Sequence, residues 1–207
     1  EALLPDSALR RRIAIPDRIR LRGTAGADKG AFSAASTLST DGGEIALQGR
    51  LDTRSEAYGI ELRCDSFPLN SFLPADSLGL LDLALQAGGS GFDPLRAQTR
   101  GNIRLQVDRA EFRGRDFGGV KLNANLEGGQ LSGRLSDRDE ALRLLLLISG
   151  TLTERKQEVR LTGNVFDFDL AELGISPQKI GGSFALEAGA SASDAGSYTA
   201  RIALDSI

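Results

Sequence analysis

The most constraining feature of this chain is the strict alternation of apolar and polar residues along most of its length. Ile60, Leu62 and Cys64 alternate with polar neighbours, and Leu83 and Leu85 continue the pattern. A period of two places all the apolar side chains on one face of a β-strand. The same alternation recurs at 103–107, 120–126, 131–135, 159–165, 184–188 and 202–204.

Turn-forming residues separate these alternating segments. Glycine and acidic or amide residues cluster at 41–43, 116–119, 127–129 and 136–139, as hairpin connections require. The spacing predicts about a dozen strands in an up-and-down antiparallel meander. Two segments, Pro68–Asp76 and Asp169–Pro177, instead carry apolar residues at i, i+3 spacing, and each is predicted to form a single helical turn.

The two helical turns also reveal an internal repeat. When the chain is shifted by 101 positions, Gly49 coincides with Gly150, Phe67 with Phe168, and Leu85 with Leu186, and strand parity is preserved. Such repeats stack into extended surfaces. We therefore divide the chain into a linker or partial strand at 1–15, a first β-repeat unit at 16–93, and a second, continuous unit at 94–207.

A sheet with one apolar face has to pack against another layer or curl around something apolar. Aromatic residues make up only 5% of the chain, and its 25 glycines permit sharp curling. The expected fold is all-β: a long, curled antiparallel meander that forms a U-shaped groove, with one or two short helical turns. A β-sandwich or a closed barrel is the alternative.

An open groove of this kind would suit an extended acyl chain. Moving a chain of about 16 carbons into water costs on the order of 13 kcal/mol, which a continuous aliphatic surface would largely remove. The candidate groove residues are the alternating apolar positions of the central strands: Ile60, Leu62, Leu83, Leu85, Leu105, Val107, Leu122, Leu126, Leu161, Val165, Phe184 and Leu186.

The composition argues against most catalytic chemistry. The chain has no His, so it lacks histidine-based nucleophile systems and His-ligated zinc. We expect no enzyme, no catalytic or metal site and no cofactor. Basic residues are interspersed with acidic ones, so no nucleic-acid partner is expected. Cys64 lies at an apolar position and is predicted to be a buried thiol. The acidic residues Asp137, Asp139 and Glu140 are expected at a solvated hairpin tip.

One stretch resembles a known family. The segment Leu161–Gly174, followed by 181–188, is similar to the recurring unit of TamB proteins, which belong to the wider AsmA-like group, in the versions found in Bacteroidota. The segments 21–23, 42–51 and 67–72 match the same unit nearer the N-terminus. The resemblance covers about residues 16–207.

The resemblance implies an internal β-repeat segment of a periplasm-spanning protein that is anchored in the inner membrane by a helix outside this segment. Its apolar groove would carry phospholipid, or another acyl-chain ligand, between the inner and outer membranes and so support outer-membrane biogenesis. An outer-membrane barrel of the TamA type would be a partner through the full-length protein.

Two other functions remain open from the sequence. The segment could be a scaffold or chaperone that binds the strands of outer-membrane barrel proteins, during assembly or secretion, by pairing them with its free edges. It could also be a structural spacer, which a filled interior would favour.

Overall fold

A computed structural model describes residues 14, 16–73, 77–193 and 198–206. These residues form one antiparallel sheet of 13 strands and one 3-10 turn at Leu69–Ser71. The strands are β1 (Ile19–Asp28), β2 (Ala31–Thr40), β3 (Glu44–Asp52), β4 (Ala57–Pro68), β5 (Leu78–Ser90), β6 (Arg100–Phe112), β7 (Arg115–Phe117), β8 (Val120–Glu127), β9 (Gln130–Arg138), β10 (Leu142–Leu152), β11 (Lys156–Asp169), β12 (Gly181–Ser193) and β13 (Tyr198–Ser206).

The strands follow one another across the sheet in chain order. Twelve lie on a single path from β1 to β13, and the short β7 pairs with the end of β6. The end strands β1 and β13 do not pair with each other, so the sheet is open. The expected curled, all-β meander is confirmed. The closed barrel and the two-sheet sandwich are wrong, because there is one sheet with two edges.

Two β-bulges keep the aromatic residues on the apolar face. The β4–β5 register shifts between Cys64 and Phe67, and the β11–β12 register shifts between Val165 and Phe168. Phe67 lies an odd number of residues after Cys64, so without an extra residue it would point to the opposite face. The two bulges are also 101 positions apart, so the sequence repeat is a repeat of structure.

The helical turns follow these bulges. The first is the 3-10 turn, whose neighbour Phe72 stacks on Phe67 with ring centroids 5.1 Å apart. Residues 74–76 of the predicted segment lie outside the described residues. In the second, Leu173 N donates to Asp169 O at 2.9 Å, the bond of one α-helical turn. Asp169 Oδ1 accepts from the amides of Ala171 and Glu172, as a capping residue does.

A small group of polar contacts joins parts of the sheet that are far apart in sequence. Arg113, in the turn between β6 and β7, donates from Nη1 to Gly174 O at 2.6 Å. Arg115 donates to Ala171 O and forms an ion pair with Glu172. We call this the β7 tether. It connects β6–β7 to the segment after β11, four strands further along the path, a separation of about 19 Å in a flat sheet.

The described residues bury little apolar surface. Five hydrophobic side chains are buried: Cys64 and Phe67 beside the first turn, and Ala141, Leu146 and Val165 towards the second. Cys64 is 3% exposed, so the predicted buried thiol is confirmed. The sheet is therefore held mainly by backbone ladders and cross-strand pairs.

Gly163 in β11 is a position where the sheet should tolerate no side chain. A Cβ there would lie 2.1 Å from Leu145 O, whereas a Cβ at Gly49 would come no closer than 4.0 Å to the backbone. We expect Gly163→Ala to lower the free energy of unfolding by about 2 kcal/mol, because the strands must separate locally. Gly49→Ala, the matched control, should change it by less than about 0.5 kcal/mol. Urea denaturation followed by circular dichroism measures both, and equal effects would contradict the prediction.

Candidate functional site: the apolar face

A row of leucines crosses the sheet on one face. Directly paired residues in neighbouring antiparallel strands share a face. Starting in β3, the paired positions on successive path strands are Leu47, Leu62, Leu85, Leu105, Leu122, Leu135 and Leu146. The row continues through Gly163 to Leu186 and Leu204 in β13. We call this the leucine row, and the side of the sheet that carries it the apolar face.

All twelve candidate residues from the sequence analysis lie on the apolar face. Leu62, Leu85, Leu105, Leu122 and Leu186 belong to the leucine row itself. The others lie in parallel rows on either side of it. In the row on one side, Leu83 pairs with Val107 and Val165 pairs with Phe184. The row on the other side contains Ile60 and Leu161, and Leu126 lies one row beyond it. Whether these residues contact lipid stays a prediction.

The apolar face is open along most of its length. Apart from the buried side chains near the helical turns, the candidate residues are half-buried, and Leu47 and Ile60 are 43% and 45% exposed. In a packed sandwich these positions would be covered by a second layer and almost fully buried. The described part of the chain thus presents an aliphatic strip about 43 Å long across the ten path strands from β3 to β13.

The first strands form an aromatic hollow on this face. Phe32, Leu51 and Tyr58 are paired across β2, β3 and β4, and the Tyr58 ring lies 6.5 Å from the ring of Phe92. Together with Ile60 they line an open space of about 880 Å³. Sites for small apolar ligands commonly have volumes of about 300–1,000 Å³. The hollow therefore has the size and chemistry to hold part of an acyl chain.

The opposite face is mostly polar. This face carries Arg63, Gln106 and Lys121, each of which is next in sequence to a leucine of the row. A second hollow, on the polar side of the first strands, is lined by Gln48, Arg50 and Glu61. Strand β10 is the exception, because Leu145 and Leu147 point to the polar face, where Leu147 is 52% exposed. The two faces differ enough in polarity to separate an apolar ligand from water.

One carboxylate interrupts the apolar face. Asp137 in β9 pairs with Leu144, in the row that continues to Val165, and is only 7% exposed. Its Oδ1 accepts the Asp139 amide at 3.0 Å. Burial, together with the charge of Asp139, raises the pKa of the Asp137 carboxyl. The prediction that Asp137 lies at a solvated hairpin tip is wrong, because β9 extends to Arg138 and carries Asp137 onto the apolar face.

Some site residues were missed by the sequence analysis. Leu47, Leu135, Leu146 and Leu204 belong to the leucine row but were not among the twelve candidates. Alternation marked Leu47, Leu135 and Leu204, most clearly Leu135, but not Leu146, which lies in the uninterrupted apolar run 144–148. The aromatic hollow had no local signal, because its members come from three strands and the loop after β5, and only the register brings them together.

Two features are absent from the described residues. They hold no group of three or more His, Cys, Asp or Glu residues that could bind a metal ion. Within the same residues, no helix is long and apolar enough to cross a membrane.

No protein-family model, curated protein or solved structure matches this chain. The fold and the apolar face therefore define the protein as an open antiparallel β-meander with one continuous apolar surface.

Asp137 should make the stability of the fold depend on pH. Because its pKa is raised in the folded protein, the stability that protonation provides is present below about pH 4 and is lost as the pH rises through the folded pKa. We expect Asp137→Asn, which keeps the hydrogen-bond acceptor, to remove this loss. Urea unfolding at several pH values between 3.5 and 8 measures it.

Asp52 provides a control of opposite sign. Hydrogen bonds from the backbone amides of Ser55 and Arg54 lower the pKa of its carboxyl. Its contribution is present above about pH 4 and is lost as the pH falls through the folded pKa. Asp52→Asn should therefore cost stability at neutral pH but not at low pH. Identical pH profiles for Asp137→Asn and the unsubstituted protein would contradict the assignment.

Proposed function

We propose that this chain is a lipid-carrying segment of a periplasm-spanning cell-envelope protein, similar to the TamB and AsmA-like repeats. Its apolar face carries phospholipid acyl chains between the inner and outer membranes and so supports outer-membrane biogenesis. The observation that supports this most directly is the leucine row, which crosses ten path strands, broken by a single glycine, and is partly exposed to solvent for most of its length.

The physical argument is the cost of moving an acyl chain. Each methylene transferred into water costs about 0.8 kcal/mol, so a lipid that slides along a continuous aliphatic strip avoids a barrier that grows with chain length. Such a strip needs no specific polar pocket. The headgroup can remain in water while the acyl chain lies against leucine, isoleucine and valine side chains.

A scaffold function for outer-membrane strands is the second candidate. Within the described residues the outer edges of β1 and β13 have no partner strand, which favours it because an unpaired edge can accept an extended strand through backbone hydrogen bonds. Binding of this kind would depend little on the side chains of the leucine row. The two functions therefore respond differently to substitutions on the apolar face.

Site-specific photocrosslinking in living cells separates the two functions. Leu85 lies in the leucine row, and its neighbour Ala84 lies on the polar face between Arg63 and Gln106. A photoreactive residue at position 85 should crosslink phospholipid, and the same residue at position 84 should not. Lipid at neither position, or equally at both, would overturn the carrier proposal and leave the scaffold as the candidate.

A charge placed in the strip should block it. We expect Leu105→Glu to reduce phospholipid crosslinking at position 85 at least tenfold, because a carboxylate beside an acyl chain must lose its hydration. Gln106→Glu adds the same charge to the exposed polar face one residue away and should leave crosslinking unchanged. Equal loss in both variants would indicate a general effect on folding or charge rather than a blocked strip.

A further inference from the structure

A smaller pocket on the polar face lies where β9, β10 and the bulge of β11 meet. Its volume is about 350 Å³, and each of its three strands has a partner strand on both sides. Asp137 and Leu144 border the pocket, but their side chains belong to the apolar face. The residues that line it from the polar side are Arg134, Ser136 and Arg138 of β9, Arg143 and Leu145 of β10, and Phe166 of β11. We call it the arginine pocket.

Positive charge is concentrated in the arginine pocket. The register places Arg138 directly opposite Arg143, and like charges in directly opposed positions destabilise a sheet. One carboxylate is near, that of Asp167, whose Oδ2 lies 4.0 Å from Arg143 Nη2. Within the described residues, Arg134 and Arg138 form no ion pair. Three guanidinium groups against one carboxylate leave two positive charges uncompensated.

The fold does not require these arginines, because the first repeat unit builds the same structure without them. Strands β2, β3 and β4 lead to the first bulge as β9, β10 and β11 lead to the second. Counted from the leucine row, Ser39 takes the place of Arg138 and Glu44 takes the place of Arg143. The side chains of Ser39 and Glu44 hydrogen-bond to each other at 3.4 Å, and the bulge there carries Asp65 instead of an aromatic residue. The cluster of cations is therefore particular to the second unit.

The charge and the lining of the pocket match a doubly charged anion on an apolar body. Guanidinium groups bind phosphate oxygens in a two-pronged geometry. A phosphate monoester carries about −1.5 to −2 charges at pH 7, which balances the two uncompensated positive charges. Ser136 lies between Arg134 and Arg138 in β9 and provides a hydroxyl donor. Leu145 and the ring of Phe166, which is 47% exposed, provide an apolar wall.

From these observations we propose that the arginine pocket binds a phosphate monoester whose carrier is apolar or aromatic. Arg138 and Arg143 bind the phosphate oxygens, Arg134 approaches them from the other side of Ser136, and the carrier lies against Phe166. The site is on the polar face and does not depend on what the leucine row carries. Two sources present this chemistry: a lipid with a phosphate monoester headgroup and a water-soluble phosphate monoester.

Isothermal titration calorimetry with phenyl phosphate tests the site, because this compound joins a phosphate monoester to an aromatic ring. We expect saturable one-to-one binding by the unsubstituted chain. The double variant Arg138→Gln with Arg143→Gln should bind at least about tenfold more weakly, because charge-assisted hydrogen bonds are lost. Benzoate, which has the ring but one negative charge, should also bind about tenfold more weakly. Absence of saturable binding, or equal affinity for benzoate, would overturn the proposal.

The matched control is the double variant Arg20→Gln with Arg22→Gln. It removes the same charge from exposed positions on the polar face of β1, at the start of the strand path and away from the pocket. Its affinity for phenyl phosphate should change less than about twofold, because exposed charges more than a Debye length apart are largely screened. An equal loss in both double variants would indicate a general charge effect and overturn the site. Circular dichroism of each variant confirms that loss of binding is not loss of fold.

A single substitution tests the apolar wall. Phe166→Ser should weaken binding of phenyl phosphate about fivefold, because contact with the aromatic ring is lost. It should leave binding of methyl phosphate, which has the same charge and no ring, unchanged. An equal loss for both compounds would show that Phe166 acts only on the shape of the pocket and would contradict the assigned carrier.

Co-sedimentation with lipid vesicles distinguishes the two sources. Binding to phosphatidylcholine vesicles that contain phosphatidic acid, if it is lost in the Arg138→Gln and Arg143→Gln double variant, assigns a lipid headgroup to the pocket. Binding of phenyl phosphate without such vesicle binding assigns a water-soluble ligand. Equal binding to vesicles that contain phosphatidylglycerol, whose phosphate is a diester, would overturn the preference for a monoester.

Discussion

Parity is the constraint on which this structure depends. Each side chain in a strand faces one side or the other, and a slip of one residue at any junction would turn an entire strand over. Eleven junctions separate β1 from β13, and the leucine row shows that the apolar face keeps its side across the nine junctions from β3 to β13. The bulges before Phe67 and Phe168 satisfy the same constraint. Each inserts one extra residue into its strand, so that the phenylalanine points to the apolar face instead of the polar one.

This constraint has an energetic consequence. A globular domain gains most of its stability from buried apolar surface, yet here few hydrophobic side chains of the described residues are buried. The fold depends instead on hydrogen-bonded ladders, on cross-strand leucine contacts and on two small cores beside the helical turns. The exposure of the apolar face is thus compatible with the fold, and a ligand bound to that face would add to its stability by mass action.

Much of the architecture could be predicted from the sequence, because alternation is a local property. The strands, the common face of Leu62, Leu85 and Leu105, and the repeat all follow from it. The burial of Asp137 could not, because Ser136–Asp139 has the composition of a turn, and the pairing with β10 extends β9 through it. The aromatic hollow and the β7 tether depend on the register between distant residues, which no local pattern encodes.

The β7 tether also bears on how the chain reaches this fold. Nearly all strand pairing joins neighbours in sequence, so each hairpin can close while later residues are still being synthesised. The bond from Arg113 to Gly174 spans 61 positions and cannot form until the segment after β11 has emerged. The curvature of the second half is therefore fixed late, and an incomplete chain would present a looser sheet than the finished one.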